Sequence, residues 1–130
     1  MKTEIQYLVY ATALTGLLWI PYVLDRFKVW GIPDTVGYPA SPKPLDPWAE
    51  RLRKAHANAV ENLVVFAALV LAAQAAGVSN AVTAGAAMLY FWGRVVHVIA
   101  YTFAMPWVRT LGFTAGFVAQ ALVAWQILAR

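Results

Sequence analysis

The sequence predicts an all-α membrane protein folded as a four-helix, up-and-down transmembrane bundle. Of its 130 residues, 62% are hydrophobic and only 12% are charged, which leaves too little polar surface for a soluble globular domain. Long apolar runs follow one another with brief polar breaks between them, as expected for one compact helical unit. We therefore expect residues 1–130 to form a single domain that crosses the bilayer four times.

The composition also argues against several kinds of chemistry. Cysteine is absent, so the protein supplies no disulfide, no thiolate metal ligand and no thiol nucleophile of its own. His56 and His97 have no acidic companion at ligand spacing, which argues against a metal site. The net charge of +4 comes from basic residues beside apolar runs and not from a nucleic-acid motif, so the expected counterpart is an anionic lipid headgroup.

The first predicted helix covers residues 5–24, an apolar run long enough at 1.5 Å per residue to cross a hydrocarbon core of about 30 Å. A cleaved signal peptide is the weaker interpretation, because Trp19 and Tyr22 stand where small residues should precede a cleavage site. Glycine and proline recur through residues 25–47, so this segment is predicted to be the one substantial loop.

Capping signals delimit the other three helices. Asp46 before Pro47 resembles an N-cap followed by proline at the first helical position, and Gly77 is typical of a helix end. Pro106 separates the last two apolar runs. The predicted boundaries are residues 47–76, 82–103 and 107–128.

The basic residues predict the orientation in the membrane. Seven lie in the long loop or at the adjoining starts of helices two and four: Arg26, Lys28, Lys43, Arg51, Arg53, Lys54 and Arg109. The opposite side carries only two, Lys2 and Arg130. Because cytoplasmic loops are enriched in lysine and arginine, we expect the long loop to face the cytoplasm and both termini to face outside. In a bacterium this would be the inner membrane.

Polar side chains form a stripe on each of the two middle helices. Helix two carries Arg51, Lys54, Asn58 and Glu61, and helix three carries Tyr90, Arg94, His97 and Tyr101. Within each stripe the residues step by three or four and therefore share one helix face. We expect the two stripes to meet in a buried polar seam, within one chain or between chains. A GxxxG pattern at Gly112 and Gly116 also favours close helix packing.

The seam admits a structural and a functional interpretation. A charged side chain at mid-bilayer costs at least about 2.5 kcal/mol, so Glu61 could simply neutralise Arg94 while Asn58 and His97 bond across helices. That account leaves an excess of positive charge, because one carboxylate faces several arginines. An anionic ligand would balance the site better than the protein does alone.

The sequence contains three blocks rich in polar residues: ERLRKAHANAVEN at residues 50–62, then Gly93, Arg94, Val95, His97 and Tyr101, then Pro106, Arg109 and Thr110. In this order and spacing they resemble the MAPEG family, the membrane-associated proteins in eicosanoid and glutathione metabolism, in its bacterial type. The resemblance implies a homotrimer with glutathione, as co-substrate, held between neighbouring subunits near the cytoplasmic face. It also implies a membrane-bound enzyme of detoxification that acts on lipophilic electrophiles.

The resemblance also implies roles for individual residues. Arg109 matches the arginine that stabilises the glutathione thiolate, and is the expected catalytic residue. The expected glutathione-binding residues are Arg26, Arg51, Asn58, Glu61, Arg94, His97, Tyr101 and Thr110. Among these, Glu61 suits the ammonium group of the tripeptide, whereas Arg26 and Arg51 suit its carboxylates. Arg26 is matched by its position in the loop alone.

Two departures from the family pattern lie in or close to these blocks. Ala57 stands where some relatives have a glutathione-binding arginine, and Phe113 stands where some have a tyrosine. A charge and a hydroxyl are thus missing from the expected site, and the loop before Arg109 is one residue shorter. The sequence therefore leaves three hypotheses: a glutathione transferase or peroxidase, an enzyme that uses another thiol, and a non-catalytic membrane trimer or lipid-binding module with a structural seam.

Overall fold

The computed structural model describes residues 1–129, and in this part of the chain every regular element is helical. The helices are α1 (Thr3–Leu17), α2 (Trp19–Trp30), α3 (Ile32–Val36), α4 (Pro47–Ala75), α5 (Ala81–Thr102) and α6 (Pro106–Leu128). Within the described residues, four segments are long and apolar enough to cross a membrane: Thr3–Trp30, Pro47–Ala75, Ala81–Thr102 and Pro106–Leu128. The predicted four-helix bundle is confirmed. Arg130, which entered the charge count, lies outside the described residues.

The first membrane-spanning segment is α1 followed by α2, with a break at Leu18. Pro21 explains the position of the break. Proline has no amide hydrogen, and its ring clashes with the carbonyl four residues earlier, which here belongs to Leu17. The helix is therefore interrupted one turn before the proline and then resumes.

The predicted start of the long loop was wrong, because α2 continues through Asp25 to Trp30. The charged side chains that suggested a loop make specific contacts instead. Asp25 is buried and accepts the amide hydrogen of Asp46 at 2.9 Å, and Lys28 pairs with the Asp46 carboxylate at 3.0 Å. The Asp25 carboxyl first, and Lys28 second, hold the pKa of Asp46 below its ordinary value. These contacts fold the loop back onto α2, which ends at Gly31.

The first helix begins at Thr3, two residues before its predicted start, and the boundaries of the other three membrane-spanning segments agree with the sequence to within one residue. Pro47 begins α4, and Gly77 follows it with a φ of 72°. Asn80 caps α5 by accepting the amide hydrogens of Val82 and Thr83, and Thr83 completes a capping box. These local signals act through backbone hydrogen bonds and are readable without tertiary structure.

Small side chains let the four segments pack closely around one core. Phe66 of α4 stacks on Tyr90 of α5, with ring centroids 3.8 Å apart and planes 4° apart. Alanines and aliphatic residues surround this pair: Leu8, Ala11, Val70, Ala73, Ala86, Ala87, Ala119 and Val123. The core lies nearer the α4–α5 turn, and the polar residues of the two stripes lie toward the other end of the bundle.

Candidate functional site

Arg109 and Tyr101 meet where α5 ends and α6 begins. Tyr101 lies in the last turn of α5 and Arg109 in the first turn of α6, and the short turn between them brings the two side chains together. The Arg109 guanidinium carbon lies 5.0 Å from the Tyr101 ring centroid, which is a cation–π contact. The arginine is therefore oriented by an aromatic face while its side chain remains exposed.

Two open cavities adjoin at this pair. The first, here called the turn cavity, has a volume of about 270 Å³ and is lined by Arg51, Ala100, Tyr101, Ala104, Met105, Pro106 and Arg109. The second, here called the helix cavity, has a volume of about 300 Å³ and is lined by Asn58, His97, Tyr101, Arg109, Thr110 and Phe113. Tyr101 and Arg109 belong to both, so a ligand in either cavity would contact the same guanidinium.

Arg94 lies beneath this surface. Its side chain is 2% exposed, it lines neither cavity, and it donates from Nη2 to Oδ1 of Asn58. Its Nε and Nη1 are buried without a partner in residues 1–129. A Cβ placed on Gly116 would lie 3.4 Å from the Arg94 Cδ, so the glycine leaves just enough room for the arginine.

A polar network continues from Asn58 to α6. Asn62 donates from Nδ2 to the Asn58 backbone oxygen at 2.9 Å and to Asn58 Oδ1 at 3.1 Å. Gln120 of α6 donates to the Asn62 backbone oxygen at 3.2 Å. Asn62 was not among the predicted site residues, although its position one helical turn after Asn58 was the available signal. Three helices are thus joined by hydrogen bonds, α4 to α5 through Asn58 Oδ1 and α4 to α6 through the Asn62 backbone oxygen.

His97 and Thr110 line the helix cavity in different ways. His97 is 2% exposed, and its Nδ1 is buried without a partner in the described chain. Its ring makes an edge contact with Tyr101, at a centroid distance of 5.6 Å. Thr110 is exposed and donates to the Pro106 backbone oxygen at 2.9 Å. Its hydroxyl can still accept a hydrogen bond from a ligand.

The two remaining candidate arginines occupy different places. Arg51 lines the turn cavity, where its Nε donates to the Thr102 backbone oxygen at 2.8 Å. This bond fixes the side chain at the end of α5. Arg26 instead stacks over Trp30, 4.9 Å from the ring centroid, and lines neither cavity. Within one chain, the structure brings Arg51 to the cavities but not Arg26.

Glu61 is exposed on α4 and lines neither cavity. In residues 1–129 the ion pairs are Lys28–Asp46 and Glu50–Arg53, so Glu61 does not neutralise Arg94 within one chain. The expected seam does form between Asn58 and Arg94 of α4 and α5. Tyr90, also expected in the seam, is buried against Phe66 in the core.

The electrostatic character of the two cavities is cationic. Arg51 and Arg109 line them, Arg94 lies buried behind Asn58, and no carboxylate is among the lining residues. In the described part of the chain, no three metal-ligating side chains come together. The arrangement is suited to hold an anion beside an exposed guanidinium.

The sequence profile of the MAPEG family matches residues 7–129. This range contains all four membrane-spanning segments apart from the first few residues of α1, and it contains every candidate residue of the two cavities. No curated protein matches the chain.

Proposed function

Because the chain belongs to the MAPEG family of helical, multi-pass integral membrane proteins, whose members generally use glutathione, we propose that it is a glutathione-dependent transferase or peroxidase. Its second substrate is a lipophilic electrophile that arrives through the bilayer. The observation that carries the proposal is the exposed guanidinium of Arg109, held over Tyr101 where two cavities adjoin.

Arg109 is proposed to stabilise the glutathione thiolate. A free thiol has a pKa of about 8.5, and only the thiolate is strongly nucleophilic. A guanidinium in a partly dry cavity favours the anion, and lowering the thiol pKa to near 7 needs only about 2 kcal/mol at 1.36 kcal/mol per unit. In a transfer reaction the sulfur then bonds to an electrophilic carbon as a leaving group departs with its electron pair. In peroxide reduction the sulfur attacks the peroxide oxygen, the O–O bond breaks and an alcohol is released; the sulfenic acid left on glutathione reacts with a second glutathione to give the disulfide and water.

The remaining candidate residues are proposed to hold the tripeptide. Asn58, Arg94, His97, Tyr101 and Thr110 form or support the helix cavity. In the turn cavity, Arg51 has guanidinium nitrogens left for a carboxylate after its bond to Thr102. Glu61 and Arg26 lie away from both cavities and are proposed to reach the ligand from a neighbouring subunit of a homotrimer.

The departures from the family pattern bear on the choice of thiol. Phe113 lines the helix cavity with an apolar ring and offers no hydroxyl to glutathione. Ala57 is exposed on α4 and offers no charge. A smaller thiol or another anionic thiol is therefore a meaningful comparison in any binding assay.

Calorimetric titration of the purified protein with glutathione tests the proposal. The wild type should bind, Arg109→Ala should bind a thiol that is no longer ionised at neutral pH, and Glu61→Gln should bind more weakly. The absence of any heat with wild type at millimolar glutathione would remove the proposal. An assay with an aromatic electrophile and with a lipid hydroperoxide then separates transfer from peroxide reduction.

A non-catalytic membrane trimer is the second candidate, and one observation favours it. The bonds among Arg94, Asn58, Asn62 and Gln120 join three helices, as a purely structural seam would. This account gives no role to the exposed Arg109, which makes no hydrogen bond or ion pair through its side chain in the described residues. Under it, the wild type should show no thiol-dependent turnover for Arg109→Ala to lose, and Glu61→Gln should reduce the stability of the trimer.

A further inference from the structure

We propose that Arg94 is a positioning residue that never touches the ligand and fixes the Asn58 amide so that its NH₂ group faces the helix cavity. The inference rests on the proposed function and changes the role of Arg94 within it. The ligand group at this place must then be a hydrogen-bond acceptor, such as a carboxylate or peptide carbonyl of the thiol substrate.

The orientation of the Asn58 amide follows from the chemistry of its neighbours. The Arg94 guanidinium has only donors, so the atom that faces it must be the amide oxygen. Asn62 must also turn its NH₂ group toward Asn58, because that group donates to the Asn58 backbone oxygen at 2.9 Å. Two donors therefore converge on Asn58 Oδ1, and reversing the amide would oppose donor to donor at both contacts.

The same geometry leaves the other end of the amide free. Asn58 lines the helix cavity, and its Nδ2 makes no hydrogen bond in residues 1–129 and is not among the buried unpartnered atoms. It is thus an accessible donor at the cavity wall. Arg109, Tyr101 and Thr110 line the same cavity.

Arg94 itself is not placed to meet a ligand. Its side chain is 2% exposed, and neither cavity includes it. Gly116 packs against its methylene chain, where an added Cβ would lie 3.4 Å from Cδ. The guanidinium is therefore enclosed, and its one hydrogen bond passes to the cavity through Asn58.

Asn58→Asp tests the donor without removing the partner of Arg94. The aspartate keeps both an oxygen for Arg94 and the side-chain shape, replaces the NH₂ donor by a second oxygen, and adds a negative charge that also opposes an acceptor group of the ligand. We expect the Kd for glutathione to rise at least about tenfold, the loss typical of one hydrogen bond to a charged group. Asn80→Asp is the matched control, since aspartate also caps a helix and Asn80 lies in the α4–α5 turn, away from both cavities.

Arg94→Gln and Arg94→Lys separate positioning from direct catalysis. With Arg94→Gln we expect a higher KM for glutathione, an unchanged kcat at saturation and an unchanged pKa of the bound thiol, read from the ultraviolet absorbance of the thiolate. Arg94→Lys keeps a donor that can reach Asn58 and should restore part of the affinity. A raised thiol pKa in Arg94→Gln at unchanged KM would overturn the inference.

The outcome for wild type keeps the two proposals apart. If wild type binds glutathione and Asn58→Asp binds it equally well, the inference about Arg94 fails while the proposed function stands. If wild type binds none, the proposed function fails, and the assignment of Arg94 to this ligand fails with it.

Discussion

Gly77 and Ala104 occupy the same position in two copies of one backbone motif. After α4, Gly77 adopts a φ of 72°, its amide donates to the Gln74 oxygen at 3.2 Å, and the Val78 amide donates to the Ala73 oxygen at 2.8 Å. This pair of bonds is the Schellman motif, whose left-handed residue is most often glycine. The sequence identifies this helix end because the usual residue is present.

After α5 the same two bonds form around an alanine. Ala104 adopts a φ of 57°, its amide donates to the Tyr101 oxygen at 3.3 Å, and the Met105 amide donates to the Ala100 oxygen at 2.8 Å. All four residues line the turn cavity. A left-handed conformation costs a residue with a Cβ about 1–2 kcal/mol, so backbone strain is located at the wall of the candidate site.

Ala104→Gly should therefore stabilise the protein, and Gly77→Ala should destabilise it. The glycine at position 104 removes the Cβ strain but gains freedom in the unfolded chain, so we expect a net gain of about 0.5–1 kcal/mol. Gly77→Ala should lose a similar amount, since nothing but its φ opposes the new Cβ. Unfolding in detergent measures both. A loss of stability in Ala104→Gly would show that the left-handed backbone of Ala104 is not strained.

Tyr101 should act on the thiol through the face of its ring. Tyr101→Phe keeps the aromatic surface under Arg109, so the guanidinium should stay in place and the pKa of bound glutathione should stay near the wild-type value. Tyr101→Leu removes that surface and should raise the thiol pKa, because Arg109 is then free to leave the cavities. Titration of thiolate absorbance distinguishes the two variants. Equal pKa values in both would show that the ring contact does not position Arg109.

At the scale of elements, α5 and α6 touch through their backbones. A Cβ added to Gly112 would meet the Gly93 oxygen and the His97 amide nitrogen, each at 2.8 Å. A Cβ added to Gly93 would lie 3.0 Å from the Ala115 Cβ. The GxxxG pattern noted in the sequence thus serves contact within one chain, and it sets the distance between His97 and the start of α6.

Gly112→Ala should separate α5 from α6 at this crossing. Because the obstructing atoms are backbone, we expect a loss of about 1–3 kcal/mol of stability and a weaker affinity for glutathione, as His97 moves relative to Arg109. Gly85→Ala, also on α5, is the control: nothing lies within 4 Å of its new Cβ. It should be neutral or stabilise by up to about 1 kcal/mol through helix propensity. Thermal unfolding and calorimetry measure the two variants in parallel.

The helix boundaries were readable from sequence wherever a local signal was sufficient. Three such signals act within one turn of the chain: the Asp46–Pro47 pair, Gly77 and Pro106. Each of the boundaries they mark fell within one residue of the prediction. The end of α2 was missed because its evidence is long-range. Asp25 looks like a loop residue until the amide of Asp46, 21 positions later, is placed against it.

The candidate site was predictable to the extent that it follows helix periodicity. The polar stripes of α4 and α5 were expected to meet, and they do through Asn58 and Arg94, although the partner considered for Arg94 was Glu61. The position of Glu61 was not predicted. A residue three positions from Asn58 is rotated by about 60° around the helix axis at 3.6 residues per turn. That rotation directs Glu61 away from Arg94, and sequence spacing alone does not show which neighbour it then meets.

At the scale of the whole molecule, the orientation in the membrane is testable because the chain has no cysteine. Ser41→Cys places one exposed thiol in the long loop, and Lys2→Cys places one near the amino terminus. The asymmetry of basic residues predicts that a membrane-impermeant maleimide added to intact cells labels Cys at position 2 and not at position 41. Lysed cells supply the control, in which both variants should react. The reverse labelling pattern in intact cells would show that the orientation is the opposite of the one predicted.

The exposure of Glu61 and Arg109 supports the proposal that the site is shared between chains. Both side chains are exposed, and neither makes an ion pair in the described residues. A lone charge at mid-bilayer costs at least about 2.5 kcal/mol, so Glu61, in the middle of α4, needs water, a ligand or a charge on another chain. Glu61 lines neither of the cavities that Arg109 lines, as the proposed contact between unlike surfaces would require. Such a contact closes into a ring, and a trimer is one such ring.

Co-expression of two defective chains tests whether the site is shared. The Glu61→Gln chain retains Arg109, and the Arg109→Ala chain retains Glu61. An interface between the two is therefore intact when the Arg109→Ala chain is the one that supplies position 61 and the Glu61→Gln chain is the one that supplies position 109. Random assembly of equal amounts into a ring should restore about a quarter of the sites. Restored sites are counted by thiolate absorbance at a glutathione concentration too low to occupy sites that lack Glu61, because sites that lack Arg109 bind the thiol without ionising it. Native mass spectrometry counts three chains. If both residues serve the same chain's site, mixing restores none, because every chain carries one defect. Intact sites therefore reappear only if the site is shared between chains. If a correctly assembled mixed trimer contains none, the site lies within a single subunit.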